Sequence, residues 1–132
     1  MLGELAVEGK WKIVGMRVLK DKRMEVTFQE SGKIYGIEYS GIATVKTIGR
    51  ADGSVYGEGQ ALLATKDGEQ FSWRGLGVGQ PKGGMAISYR GCKSFEASSS
   101  SQRLTKLNKI AVVFEAEADE NGDGWHKHWE WK

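Results

Sequence analysis

The sequence predicts an all-β fold, an antiparallel barrel of about eight strands with one short helix near residues 102–108. Three observations carry that reading. Apolar residues alternate at close to period two along nearly the whole chain, as half-buried strands require. Turn dipeptides interrupt the alternation at Asp52-Gly53, Asp67-Gly68 and Asn121-Gly122. There are 19 glycines against a single proline, Pro81, which suits a sheet that must curve strongly. Consecutive hairpins with little helix tend to close on themselves, because an open sheet would leave long unpaired edges.

Taken in order, strands are expected at 10–19, 24–31, 33–39, 41–48, 54–65, 69–78, 85–95, 109–118 and 125–131. The first two are separated by Lys20-Asp21-Lys22-Arg23, a solvated hairpin tip. The second and third can be one bent strand, so the count is eight or nine. Gly75, Gly77, Gly79, Gly83 and Gly84 surround a turn that no helix follows, which argues against a phosphate-cradling loop. The serine run 98–101 reads as an N-cap for a helix over 102–108, with Leu104 and Leu107 facing the core at i, i+3 spacing. No linker, repeat or low-complexity tract divides the chain, so one barrel domain over residues 1–132 is expected.

Two-residue type I′ turns would set the register. Around Asn121-Gly122 they place Phe114 opposite Trp129 and Val112 opposite Trp131, with Glu115 facing His128 and Glu117 facing His126. Around the other two turns they align Ala43, Leu62 and Trp73, then Val45, Gln60 and Gly75, then Thr47, Glu58 and Gly77. Large apolar groups fill one end of this face. At the other end two glycines leave space beside Gln60 and Glu58.

Composition excludes several classes. The 19 Lys and Arg against 17 Asp and Glu give a net charge of +2 without a clustered basic face, so no nucleic-acid partner is expected. No apolar run approaches the roughly 20 residues of a membrane span, and the first twelve residues carry Glu4, Glu8 and Lys10 instead of a signal-peptide core. With one cysteine, Cys92, the chain reads as cytoplasmic, and Cys92 as a small packed residue.

Several motifs have plainer explanations. Asp119, Asn121, Asp123, Gly124 and Glu130 match the calcium-loop pattern. That loop needs flanking helices. The segment entering it, 110–114, is β-rich, and two residues following Glu130 leave no room for an exiting helix, so a hairpin explains the residues better. His126 and His128 alternate onto one face at a spacing zinc sites use, with Glu115 and Glu117 as further ligands; a solvated cross-strand charge ladder is the plainer reading. The Trp125, Trp129 and Trp131 stripe reads as barrel core. Gly9-Lys10-Trp11 is similar to the G-x-W of lipocalin-type barrels, which place their helix elsewhere. No nucleophile, base and orienting group stand together, so no catalytic residues, metal or cofactor are assigned.

From Tyr56 onward the chain resembles a family of uncharacterised microbial proteins related to the allene oxide cyclase-like β-barrels. The resemblance lies in Tyr56-Gly57-Glu58-Gly59, the Trp73, Gly75, Gly77, Gly79 alternation, Arg90-Gly91, Leu107-Asn108, Val113-Phe114-Glu115 and Trp129-Glu130-Trp131-Lys132. It implies an antiparallel barrel and often a homo-oligomer, with no assigned activity. The plant cyclases' active-site residues have no counterparts in this chain. The sequence does not determine a function. Its best reading is a barrel binding a small apolar ligand through Glu58, Gln60, Trp73, Tyr89, Phe114 and Trp129. The alternatives are an isomerase or cyclase using Glu58 as general acid/base, and a packed oligomeric interaction module.

Overall fold

The computed structural model describes residues 2–98 and 100–132. Eight strands form a closed antiparallel barrel: β1 (Leu2–Val18), β2 (Arg23–Ile34), β3 (Ile37–Gly49), β4 (Val55–Thr65), β5 (Gln70–Gly83), β6 (Ala86–Ala97), β7 (Ala111–Ala118) and β8 (Asp123–Trp131). Each strand pairs with its sequence neighbour. The barrel closes where β8 pairs with β1, Trp131 beside Leu2 and Trp125 beside Lys10.

The expected strand at 33–39 does not exist. Its residues form a hairpin instead, with Ile34 paired to Ile37 across Tyr35-Gly36. Both turn residues have positive φ, 48° and 81°, which is the type I′ signature. The three Asp-Gly and Asn-Gly sites turn differently. Arg50 bonds to Ser54, Thr65 to Glu69 and Asp119 to Asp123, so each loop holds three residues and not two. Only the glycine of each loop, Gly53, Gly68 or Gly122, has positive φ. These are type I turns closed by a left-handed glycine, the second common hairpin geometry.

One extra loop residue turns a strand over relative to its partner. The shift before β4 and the shift after it cancel, so β3 and β5 keep their expected faces while β4 alone is inverted. Ala43 therefore aligns with Ala61 and Trp73, Val45 with Gly59 and Gly75, and Thr47 with Gly57 and Gly77. Leu62, Gln60 and Glu58 lie outside. The same slip inverts β8: Phe114 faces His128, Glu115 faces Lys127, Ala116 faces His126, and Trp129 faces Val113. The tryptophan stripe is thus outer surface, with Trp125 and Trp131 exposed. Cys92, expected to be packed, is exposed on the outer face between Leu76 and Val113.

One end of the barrel is plugged by the β6–β7 connection. In place of the expected helix over 102–108 it carries a 3-10 helix, Thr105–Lys109. Side chains at i and i+3 eclipse in that geometry. Leu104 and Leu107 consequently both enter the core, fully buried against a cluster with Ile34, Leu63, Phe71, Phe95 and Val112. Burying each leucine stabilises the plug by about 1.5–3 kcal/mol. Of the serine run, Ser101 accepts the Leu104 amide N–H and donates to Glu69, while Ser99 lies outside the described residues. Asn108 secures the connection by accepting the Ala97 N–H and donating to the Ala97 carbonyl.

Candidate ligand cavity

Above the plug the inner face changes character. Gly57 and Gly59 of β4 and Gly75 and Gly77 of β5 replace the large side chains of the lower rows. A cavity of about 290 Å³ occupies the space, walled by Trp11, Phe28, Val45, Tyr89, Phe114 and Ala116. Its rim is formed by Met16, Met85 and Ile87, at the end away from the plug.

The bottom of the cavity is polar. Lys93 on β6 donates to Nε2 of His128 at 2.9 Å. The two histidines on β8 face each other, Nδ1 to Nδ1, at 3.3 Å. Nε2 of His126 lies 3.5 Å from the Tyr39 hydroxyl, which donates to Glu30 at 3.0 Å. The second oxygen of Glu30 accepts the indole N–H of Trp73 at 3.1 Å. Directions along this chain are set by its ends. Lysine can only donate, so His128 Nε2 accepts and its proton sits on Nδ1. In the matching tautomer His126 accepts at Nδ1 and carries its proton on Nε2, 3.5 Å from the Tyr39 hydroxyl, while its ring also bonds the Lys10 backbone. The result is a one-way series of donors from an ammonium to a carboxylate.

Burial explains the protonation states. Removal from water, and secondarily the nearby Lys93 charge, push His126 down to about 3 and His128 well below the ordinary imidazole value. Both are neutral at pH 7. Burial also lowers Lys93 to about 8, the Glu30 charge opposing the shift. The ammonium sits 3.8 Å from the centre of the Trp73 ring and 4.7 Å from that of Phe114, where ring quadrupoles replace part of its lost hydration. Higher on the wall the Tyr89 hydroxyl is buried with no hydrogen-bond partner among the described residues. Burial raises it to about 12.

No family model and no curated protein matches the chain. Solved structures do. The chain is similar to a conserved protein of unknown function from Rhodopseudomonas palustris, with TM-score 0.77 and 15% identity over 99% of each chain. It is similar also to a protein with unknown function from Clostridium acetobutylicum ATCC 824, with TM-score 0.77 and 13% identity over 96% of each chain. A beta-barrel like protein from Acinetobacter baumannii AYE matches with TM-score 0.76 and 14% identity, covering 98% of this chain and 96% of its own. At such identities the likeness shows the fold.

Of the six residues expected from sequence to line a ligand site, Glu58, Trp73, Tyr89 and Phe114 line the cavity. Gln60 and Glu58 are both exposed on inverted β4, and the Glu58 carboxylate accepts a hydrogen bond from Tyr56. Trp129 is half-buried on the outer face of inverted β8. The histidine–glutamate ladder is likewise replaced. His126 and His128 are buried, while Glu117 pairs outside with Lys82 and Arg90, and Glu115 with Arg90. The calcium pattern is split along the barrel. Asp119 accepts the Asn121 and Asp123 N–H groups at the hairpin tip, whereas Glu130 is buried near the opposite end beneath Tyr35. Among the described residues no group of three His, Cys, Asp or Glu is arranged to hold a metal ion.

Glu30, Tyr39 and Lys93 are the residues that sequence reasoning missed, while His126 and His128, which read from the sequence as a solvated ladder, are buried. Phase along each strand is the signal that finds them. Lys93 shares its phase with Tyr89, Gly91 and Phe95, and Glu30 shares its phase with Val26 and Phe28.

Proposed function

We propose that this barrel binds a small, mainly apolar molecule carrying one hydrogen-bond-accepting head. The observation that carries the reading is a cavity of about 290 Å³ with apolar walls and a connected polar bottom. Ligand sites of about 300–1,000 Å³ with a few placed polar groups are the usual form, so the guest is small, of the order of a bicyclic aromatic. Lys93 supplies the donor: it has three N–H groups, and among the described residues one acceptor, His128. The Tyr89 hydroxyl supplies a second polar contact on the wall. The resemblance to allene oxide cyclase-like barrels adds to the reading through Gly75 and Gly77, which border the cavity and admit the Lys93 stem and the Tyr89 ring. A cytoplasmic setting rests on the exposed free thiol of Cys92; no described helix is long and apolar enough to cross a membrane. The cyclase alternative draws little from Glu58, which borders the cavity but is exposed, its carboxylate accepting from Tyr56. A packed interaction module accounts for no cavity.

Naphthylmethanol, an apolar bicycle with one hydroxyl, is the probe. Trp11 and Trp73 line the cavity, so saturable one-to-one binding should change tryptophan emission. Ala116→Leu, which fills cavity space from the β7 wall, should weaken binding at least tenfold while the melting temperature holds. Equal binding by the variant, or no binding by the native chain, would overturn the proposal.

A further inference from the structure

We propose that Lys93 is a nucleophilic amine that captures small apolar aldehydes as an imine inside the barrel. The inference rests on the cavity reading above and deepens it by naming the ligand chemistry.

The geometry has three parts. Lys93 lines the cavity, so its nitrogen is reachable by a guest and screened from bulk water. Its stem emerges from β6 opposite Gly75, and the nitrogen rests between the Trp73 and Phe114 rings, which hold it at the bottom of an apolar chamber. It donates to the His128 imidazole at 2.9 Å, which fixes its position at the cavity floor. A desolvated lysine beside an acceptor is the arrangement by which amines become nucleophiles at neutral pH.

The amine that attacks is the fraction of Lys93 already deprotonated, and His128, 2.9 Å from the nitrogen, is placed to pass a proton between nitrogen and oxygen during the addition. The titratable groups facing Lys93 are His128 and His126 from β8 and Glu30 from β2; β5 and β7 present Trp73 and Phe114 there.

The chemistry balances without a further reactant. The amine lone pair attacks the aldehyde carbon, forming the C–N bond as the carbonyl π pair moves to oxygen. That oxygen takes a proton and the nitrogen gives one up through His128, yielding a carbinolamine. A second protonation lets the hydroxyl leave as water while the nitrogen lone pair forms C=N. Amine and aldehyde thus become imine and water, with no oxidant or reductant. A pKa near 8 leaves roughly a tenth of Lys93 as free amine at pH 7, some 300-fold more than an ordinary lysine.

The test is reductive trapping of the whole native chain with naphthaldehyde and cyanoborohydride at pH 7, followed by peptide mapping. A naphthylmethyl adduct concentrated at Lys93, at least tenfold over every other lysine and suppressed by excess naphthylmethanol, is the expected result. The trapping rate at Lys93 should rise with pH and level off above about 8, while surface lysines continue to gain. If naphthylmethanol binds but adducts spread evenly over the lysines, the imine is overturned and the cavity reading stands. If naphthylmethanol does not bind, both fall. Lys93→Arg should lose the adduct at this position while trapping at the surface lysines is unchanged; the peptide map of the native chain decides the question should that variant not fold.

Discussion

At Gly75 the backbone itself is the cavity wall. A Cβ there would stand 2.6 Å from Lys93 Cγ and 2.7 Å from the Cys92 carbonyl oxygen. From the sequence this glycine looks like vacant lumen that a leucine could fill. In the folded barrel the adjacent space belongs to the lysine stem, and at Gly77 to the Tyr89 ring, 2.9 Å from an added Cβ. Gly75→Leu should therefore lower stability by more than the roughly 1 kcal/mol of a typical substitution, because the carbonyl of β6 cannot move aside as a flexible side chain can. Thermal unfolding checks this, and an unchanged midpoint would refute it. The missed residues have a common reason. A lysine or glutamate in an alternating strand is ordinarily the solvated member of the pair. Lys93 and Glu30 are legible as interior only once their phase is compared with that of the aromatics beside them.

Element by element, the antiparallel barrel and most of its strands were legible, because period-two alternation and turn glycines survive any packing detail, but the β2–β3 hairpin at Tyr35-Gly36 reads as strand in the sequence. Which face of β4 and β8 turned inward was not legible. An Asp-Gly pair serves equally as a whole two-residue turn or as the last two positions of a three-residue one, and the choice inverts everything that follows. The local side chains favour the longer loop: Asp52 Oδ1 accepts from the Ser54 N–H and hydroxyl, and Asp119 Oδ1 accepts from two amides across its tip. The true type I′ turn, Tyr35-Gly36, puts an aromatic at positive φ, where Asn or Asp is the usual cue. In the three-residue loops the burden falls on one left-handed glycine. Gly53 has φ of 89° and open space around it, so Gly53→Ala probes backbone strain alone. It should cost about 1 kcal/mol in urea unfolding, and Gly53→Asn clearly less. Equal costs for both would count against the left-handed assignment.

The whole molecule carries two neutral imidazoles that the unfolded chain would protonate below its ordinary pKa near 6.5. Below that value the unfolded state binds more protons at these two sites, so their contribution is full above pH 6.5 and is lost as pH falls, while Lys93, lowered to about 8, changes stability only at higher pH. Two such groups give a slope approaching 2.7 kcal/mol per pH unit. Asp67, Glu69, Glu117 and Glu130 are all held below their ordinary carboxylate values, so their contribution is lost only at more acid pH. A decline between pH 6.5 and 5 thus belongs to His126 and His128. Urea midpoints across that window should fall steeply in the native chain and flatten in a His126→Phe, His128→Phe double variant; a flat native profile would overturn the assignment.

The plug of Leu104 and Leu107 has a kinetic consequence. If the cavity takes the guest proposed above, the plugged end offers it no exit, so exchange through the rim should be dissociative, its pace set by how long the first guest lingers and indifferent to how many rivals crowd the rim.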